Sequence, residues 1–337
     1  MSEQPTYKKK DFVSDQEVRW CPGCGDYAIL SSVQLALTKL GRKKEEFVFV
    51  SGIGCSSRFP YYMNTYGLHT IHGRAPALAS GIKTQNPDLS VWIITGDGDG
   101  LSIGGNHLIH VVRRNLDVNI LLFNNEIYGL TKGQYSPTSN QGLVTKSTPQ
   151  GSIDRPFQPA PLLLGARSSF YARTLDTDPK HMQQMFTRSY NHKGTSFVEI
   201  FQNCVIFNDK IHEQFTNRAS RDDTTIRVEH GQPMIFGKEK NKGIILKDVK
   251  PEVVTIGENG VTEADLLVHD ETNPFIANLL AHANDFGLPV PYGVLYCAKD
   301  EACYEEGVHS QINAVIDKKG KGDMKKLLFS GETITVD

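Results

Sequence analysis

Four apolar runs, each ending in glycine or polar residues, limit this chain to a small set of folds. They read "FVFVSGIG" (47–54), "SVWIITGDGDG" (90–100), "VNILLFNNEIYG" (118–129) and "TSFVEIFQNC" (195–204). Such β-branched runs are typical of strands buried on both faces. Stretches with helical spacing separate the first three runs, at 77–88 and 104–115. Strands that alternate with helices predict an α/β fold, with a mostly parallel sheet flanked by helices.

The chain has 337 residues, enough for one large core with an appendage. We expect the alternating pattern to form one domain over residues 1–230. Within it, the proline-rich segment 131–161 is predicted to be a long ordered loop, because strands continue beyond it. Residues 231–337 have weaker periodicity. We expect them to form a C-terminal extension that packs on the core or on a partner subunit.

Composition narrows the possible partners and the cellular compartment. The formal net charge is only −2, which argues against nucleic acid or an anionic membrane as the main partner. No run approaches the roughly 18 apolar residues of a membrane span, and the polar first 20 residues do not resemble a secretory leader. We therefore expect a cytoplasmic protein. In that compartment its six cysteines are more typical of metal binding or catalysis than of disulfides.

The glycine-rich turn "TGDGDGLSIGG" does not fit three common phosphate or metal motifs. A dinucleotide-binding fingerprint needs glycine at position 101 or 103, where Leu101 and Ile103 stand. A P-loop needs Gly-Lys-Ser/Thr at its end, which is absent from the turn. A calcium loop that began at Asp97 would place Leu101 and Leu108 at ligand positions. The turn therefore belongs to another kind of site.

An acid and an amide follow two successive predicted strands, Asp97 after the second and Asn125 after the third. A right-handed crossover brings the carboxyl ends of both strands to the same edge of the sheet. Their hard oxygens suit Mg²⁺, which often takes its remaining ligands from water and phosphate. Gly96 and Gly98 allow main-chain N–H groups to approach a diphosphate.

Two cysteines in "WCPGCG" lie in a glycine- and proline-containing loop, and two more lie at or beyond the ends of predicted strands. The four residues are Cys21, Cys24, Cys55 and Cys204. Four thiolates that converge could hold a 4Fe–4S cluster, and zinc would also accept them. On its own, the Cys-Pro-Gly-Cys loop also fits a redox-active dithiol. Such a dithiol should follow a strand, and residues 1–20 predict none. Cys297 and Cys303 lack evident partners and are predicted to be buried inert thiols.

These motifs together resemble those of thiamine diphosphate enzymes and, more closely, the β subunits of 2-oxoacid:ferredoxin oxidoreductases. Gly-Asp-Gly, 25 residues and then Asn124-Asn125 match the thiamine diphosphate motif. The likeness extends over roughly residues 15–215 through the segments "WCPGCG", "GIGCSSR", "HTIHGRAPALASGIK", "TGDGDGLSIGGNH" and "FNNEIYGLTKGQYSPTS".

The resemblance implies thiamine diphosphate, Mg²⁺ and one 4Fe–4S cluster as cofactors. It implies that the Ile127 carbonyl joins Asp97 and Asn125 as a Mg²⁺ ligand, and that the four cysteines named above hold the cluster. It also implies an α subunit, in an αβ unit or its dimer, and a 2-oxo acid, coenzyme A and ferredoxin as reaction partners. Further contacts to the cofactor are expected from Ser56, His72, Gly73, Arg74 and Asp99.

The segments "CSSRFPYYMNTYG" and "YGLTKGQYSPTS" most resemble the branch that acts on 2-oxoglutarate. Arg58 could pair with a distal substrate carboxylate, or it could pair with a carboxylate at the subunit interface. We therefore predict Arg58 and His72 as catalytic residues, and Arg58 and Thr131 as substrate contacts, with Lys132 a weaker candidate. Three alternatives stay open: the same reaction on pyruvate or a branched 2-oxo acid, a non-oxidative thiamine enzyme, and a zinc-stabilised, non-catalytic binding subunit.

Overall fold

A computed structural model describes residues 5–336 and contains two sheets. The strands are β1 Phe47–Ser51, β2 Tyr66–His69, β3 Ser90–Gly96, β4 Val118–Asn124, β5 Phe170–Leu175, β6 Ser196–Phe201, β7 Thr225–Val228, β8 Ile235–Phe236, β9 Lys242–Lys247, β10 Lys250–Thr255 and β11 Val290–Cys297. The helices are α1 Asp26–Leu37, α2 Ala75–Gln85, α3 Asp97–Leu101, α4 Gly105–Arg114, α5 Pro159–Gly165, α6 Pro179–Asn191, α7 Glu213–Thr216, α8 Arg221–Thr224, α9 Pro274–Ala281, α10 Tyr304–Lys319 and α11 Met324–Leu328.

The main sheet has eight strands in the order β2-β1-β3-β4-β6-β5-β11-β7. All neighbours pair in parallel except β11 and β5, which are antiparallel. The predicted fold class, a mostly parallel sheet flanked by helices, is confirmed. The glycine-rich turn predicted after β3 differs in detail, because residues 97–101 form the short helix α3 as soon as the strand ends at Gly96.

Both faces of the sheet are buried, as the apolar runs predicted. Val91 and Ile93 of β3 pack into one core, and Trp92 and Ile94 pack into the other. Alternate residues of a strand point to opposite faces, so a continuous apolar run fills two cores at once. Helices α2, α4, α5 and α9 contribute to the first core, and α1 and α6 contribute to the second.

The C-terminal region contributes to the main sheet as well as packing beside it. Strand β11 inserts between β5 and β7. Strands β8, β9 and β10 form a separate antiparallel sheet. Helices α10 and α11 are largely exposed at the end of the chain. The division at residue 230 stays a prediction.

The loop predicted over residues 131–161 largely coincides with an irregular segment, residues 125–158, that runs from the end of β4 to the start of α5; the predicted end is wrong by three residues, because 159–161 already belong to α5. Parts of this segment are well buried, including Ser136, Thr138 and Ser139. It is therefore an ordered part of the structure, as predicted. Among residues 5–336 we find no helix that is long and apolar enough to cross a membrane.

Candidate active site

The carboxyl ends of four neighbouring strands meet at one edge of the main sheet. Strands β1, β3, β4 and β6 run parallel and side by side, so the residues that follow them lie close together. Cys55 follows β1, Asp97 follows β3, Asn125 follows β4 and Cys204 follows β6. Two cavities open at this edge, and Cys55 and Asn125 line both. The two predicted cofactor sites are therefore neighbours.

The smaller cavity, here called the Asp97 cavity, has a volume of about 80 Å³. It collects most of the residues that the sequence predicted for cofactor and substrate. Those that line it are Ser56, His72, Gly96, Asp97, Gly98, Asp99, Asn125, Ile127 and Thr131.

Asp97 is buried at the start of α3, with an exposed fraction of 2%. Its Oδ2 accepts hydrogen bonds from the Ser136 hydroxyl at 2.5 Å and the Thr138 hydroxyl at 2.7 Å. Burial raises the pKa of Asp97 to about 6, although these hydroxyl groups favour its charged form. A cation beside this carboxylate would offset the cost of its burial.

Asn125 and Ile127 supply the other two predicted oxygen ligands. The Asn125 Nδ2 donates to Gln202 Oε1 at 2.7 Å, and the Ile127 N–H donates to Asn125 Oδ1 at 3.2 Å. The Asp97 cavity thus brings together a carboxylate, an amide oxygen and the Ile127 main chain. This set of hard oxygens fits Mg²⁺.

Gly98 fits a site where a ligand approaches the backbone. A Cβ at this position would lie 2.2 Å from Cε1 of Tyr128, whose hydroxyl donates to the Gly98 carbonyl at 3.0 Å. The tyrosine ring therefore occupies the space that a side chain would need. Gly98 nevertheless lines the Asp97 cavity, so a diphosphate can approach its main chain from that side.

Asp99 organises the walls of the Asp97 cavity. Its Oδ2 accepts from the Thr95 hydroxyl at 2.7 Å, and its Oδ1 accepts from the N–H groups of Ile53 at 3.0 Å and Gly73 at 2.8 Å. His72 Nδ1 lies 2.7 Å from Asp99 Oδ1, close enough for an ion pair although the ring is not aligned for a hydrogen bond. The carboxylate thereby joins three segments of the chain. A direct contact of Asp99 with a cofactor stays a prediction.

The remaining predicted cofactor residues lie at the border of this site. Gly73 has a φ of +71°, and a Cβ there would lie 2.5 Å from the Gly104 nitrogen, so only glycine fits this contact. Arg74 is exposed, and its guanidinium contacts His107 Nε2 at 2.5 Å. Ser56 is buried beside Gly96, whereas Thr131 donates to Gln134 near the surface.

The larger cavity, here called the cysteine cavity, has a volume of about 250 Å³ and is lined by Cys21, Cys24, Cys55 and Cys204. A Cβ at Gly129 would lie 3.6 Å from Cys204 Sγ and 3.7 Å from Cys55 Sγ, so the glycine leaves the space beside these two sulfurs open. Within residues 5–336, no three Cys, His, Asp or Glu side chains are grouped closely enough to hold a metal ion.

Two thiols of this cavity, those of Cys24 and Cys55, have raised pKa values. Burial, the nearby Asp26 carboxylate and the other cysteines raise the pKa of Cys24, and the same causes raise the pKa of Cys55 to about 12. Thiolates gathered here need positive charge to compensate them, which bound iron or zinc supplies when it displaces the protons. The donor set thus fits a thiolate-bound metal centre.

Arg58 lies on the cysteine cavity, as does Lys132. The Arg58 Nε donates to the Tyr62 hydroxyl at 2.8 Å, and its guanidinium lies 5.5 Å from the centre of the Tyr61 ring. That Arg58 pairs with a carboxylate of the substrate stays a prediction. The other two cysteines lie elsewhere. Cys303, before α10, is buried as predicted, whereas Cys297, at the end of β11, is only half-buried.

Sequence reasoning missed several residues of the site. Ser136 and Thr138 bond Asp97 from the long loop, Tyr128 covers Gly98, and Gln202 contacts Asn125. Of these four residues, only Gln202 could have been predicted from the sequence, because it follows an apolar strand at the sheet edge where the other predicted residues lie. The two loop residues have no spacing rule that relates them to Asp97.

Comparison with known proteins agrees with this site. A family model described as the C-terminal TPP binding domain of thiamine pyrophosphate enzymes matches residues 52–200. A 2-oxoglutarate oxidoreductase subunit KorB from Mycobacterium tuberculosis is 46% identical, over 100% of this chain and 90% of the relative. A 2-oxoacid:ferredoxin oxidoreductase subunit beta from Sulfolobus sp. is 34% identical over 88% of each chain.

A solved structure shows the same likeness over nearly the whole chain. It is the 2-oxoglutarate:ferredoxin oxidoreductase from Magnetococcus marinus with 2-oxoglutarate, coenzyme A and succinyl-CoA bound. The TM-score is 0.77 at 31% identity, and the match covers 98% of both chains. Fold and site thus define a subunit of a thiamine diphosphate enzyme. The chain belongs to the family of 2-oxoacid:ferredoxin oxidoreductase β subunits.

Proposed function

We propose that this chain is the β subunit of a cytoplasmic 2-oxoglutarate:ferredoxin oxidoreductase. With an α subunit, as an αβ unit or its dimer, it would convert 2-oxoglutarate and coenzyme A to succinyl-CoA and CO₂. The electrons would leave through one 4Fe–4S cluster to ferredoxin. The observation that carries the proposal is the contact between the two cavities, which share Cys55 and Asn125.

Each cavity has a separate task in this reaction. Thiamine diphosphate, when bound, supplies the carbon nucleophile that attacks a 2-oxo acid, so no side chain of this chain needs to attack it. Asp97, Asn125 and the Ile127 carbonyl would hold the Mg²⁺ that anchors the diphosphate. Ser136 and Thr138 fix the Asp97 carboxylate toward that ion. Cys21, Cys24, Cys55 and Cys204 would hold the cluster beside it.

A cluster fits the cysteine cavity better than a single zinc ion does. Zinc draws its thiolate ligands to about 2.3 Å, which would leave most of a cavity of about 250 Å³ empty. An oxidative reaction at the neighbouring cavity needs an electron acceptor, and iron provides one whereas zinc does not.

The choice of 2-oxoglutarate is supported by the names of the Mycobacterium tuberculosis relative and the Magnetococcus marinus structure, and by Arg58. The cation of Arg58 lies on the cysteine cavity, next to the Asp97 cavity. It could pair with the second carboxylate of 2-oxoglutarate, a group that pyruvate lacks.

The metal content of the anaerobically purified complex tests the cofactor assignment. We expect about four iron atoms and about four sulfides per chain. Cys24→Ser should lower iron content and abolish dye reduction but leave Mg²⁺-dependent binding of thiamine diphosphate in place. Cys303→Ser, the matched control, should match the wild type in all three assays. One zinc and no iron per wild-type chain would contradict the proposal and support the zinc-stabilised binding subunit.

A further inference from the structure

Gln202 lines the cysteine cavity and bonds Asn125, which also lines the Asp97 cavity. It follows β6, and its N–H donates to the Asn124 carbonyl at 3.0 Å, which extends the pairing with β4 by one residue. Its exposed fraction is 1%. A buried side-chain amide must satisfy its hydrogen bonds within the protein, so its partners are informative.

The Gln202 amide bonds at both ends. Its Nε2 donates to the Asn203 carbonyl at 2.6 Å and lies 3.4 Å from Cys24 Sγ, within donor range of a sulfur. Its Oε1 accepts from Asn125 Nδ2 at 2.7 Å. One side chain thus connects a predicted cluster ligand with a predicted Mg²⁺ ligand.

Two main-chain groups, the Asn203 carbonyl and the Ile127 N–H, fix the orientation of the Gln202 and Asn125 side-chain amides. The Asn203 carbonyl can only accept, so the Gln202 nitrogen must face it and face Cys24. The Gln202 oxygen then faces Asn125, which must present its nitrogen. The Ile127 N–H can only donate, and it bonds the Asn125 oxygen. Gln202 and the Ile127 N–H therefore together determine which Asn125 atom is available to a metal ion.

We propose that Gln202 is a positioning residue that couples the two cofactor sites. Toward the Asp97 cavity it holds the Asn125 oxygen in place for Mg²⁺. Toward the cysteine cavity it donates a hydrogen bond to the Cys24 sulfur. This inference rests on the proposed function, because it assigns Asn125 and Cys24 as ligands of the two cofactors.

The bond to sulfur has a definite expected direction. Hydrogen bonds to the sulfurs of an iron–sulfur cluster help to set its reduction potential. A donor stabilises the reduced cluster more than the oxidised one, because the reduced cluster carries more negative charge. Gln202 should therefore raise the potential of the cluster and make it a better acceptor for electrons from the adjacent site.

Two substitutions in the complex purified with its α subunit separate the two effects. Gln202→Met keeps the length of the side chain but removes both the donor and the acceptor. We expect a more negative midpoint potential in an EPR-monitored redox titration and about tenfold weaker Mg²⁺-dependent binding of thiamine diphosphate. Gln202→Glu keeps an acceptor for Asn125, removes the donor and adds negative charge beside the cluster, so it should lower the potential and leave thiamine diphosphate affinity within about threefold of the wild type.

Gln34→Met is the matched control. Gln34 is a buried amide on α1 whose Nε2 donates to the Tyr62 carbonyl at 3.3 Å. Its loss should change neither the potential nor the cofactor affinity. Wild-type potential in both Gln202 variants, with the cluster retained, would overturn the coupling and leave the proposed function intact. If Gln202→Met loses its cluster, an unchanged potential in Gln202→Glu overturns the coupling. A wild-type complex without iron would overturn both.

Discussion

At the scale of single residues, the site depends on groups that leave space as much as on groups that bind. Gly98 leaves room for the Tyr128 ring, and Gly129 leaves room beside the sulfurs of Cys55 and Cys204. Asp97 is held by two hydroxyl groups from a distant loop. Each of these contacts fixes a group at the edge where both cofactors are proposed to bind.

Gly98→Ala tests the contact with Tyr128. The added Cβ would lie 2.2 Å from the ring, so the tyrosine must move. We expect the free energy of unfolding to fall by about 1–3 kcal/mol, the usual cost of overpacking. Denaturant unfolding measures it.

Gly81→Ala is the matched control for this substitution. Gly81 lies within α2, and nothing approaches within 4 Å of a Cβ built there. Alanine favours the helix over glycine, so this variant should be more stable by about 0.5–1 kcal/mol. Equal stability changes in the two variants would mean that Tyr128 does not determine the residue at position 98.

The part of the site that could be predicted from sequence is the part with a spacing rule. Asp97 and Asn125 follow successive parallel strands, so topology alone brings them to one edge. Ser136 and Thr138 bond Asp97 from a loop whose path no local pattern specifies. Their role is visible only once the loop is folded, because nearly any Ser or Thr of that polar segment would have looked equally suitable.

At the scale of elements, the predicted strands are mostly apolar, although β6 carries Glu199. Strand β5, "FYARTL", was missed because Arg173 interrupts its apolar run. In the sheet, Arg173 lies beside Glu199 of β6, and its Nε donates to Glu199 Oε2 at 2.7 Å. Burial opposes ionisation of Glu199, yet Arg173 and three hydrogen bonds hold the pKa of Glu199 below its ordinary value. In β5, a residue of a buried ion pair therefore stands where the sequence pattern of a buried strand requires an apolar residue.

Helix α6 packs against β5 through a buried histidine that makes stability depend on pH. His181 Nδ1 lies 2.8 Å from the Thr174 hydroxyl, and burial lowers the pKa of His181 to about 4. Its ordinary value when unfolded is about 6.5. The folded state therefore keeps His181 neutral, and its contribution to stability is present above pH 6.5 and is lost as the pH falls toward 4.

We expect His181→Gln to show this dependence as a difference from the wild type. Between pH 7 and pH 5 the unfolded wild-type histidine gains a proton that the folded state does not. The stability advantage of the wild type over the variant should therefore shrink by about 2 kcal/mol. Urea unfolding at the two pH values measures it. A difference that is constant with pH would show that His181 is not held neutral.

At the scale of the whole molecule, both proposed cofactor sites lie at one edge of the main sheet. The C-terminal region adds strand β11 to that sheet, between β5 and β7. The periodicity of residues 231–337 is weak because β11, "VPYGVLYC", contains Pro291 and Gly293. It nevertheless pairs with β5 and β7. Such long-range pairing leaves little local pattern in the sequence, so only the folded chain reveals it.

The central claim is that chemistry at the Asp97 cavity delivers electrons to a cluster in the cysteine cavity. EPR of the anaerobic complex with its α subunit tests this most directly, because it detects the reduced cluster itself. We predict that 2-oxoglutarate with coenzyme A produces the reduced-cluster signal and that pyruvate with coenzyme A produces much less. A complex that contains iron and thiamine diphosphate but shows no signal with either acid would contradict the claim. A larger signal with pyruvate would contradict the assigned substrate.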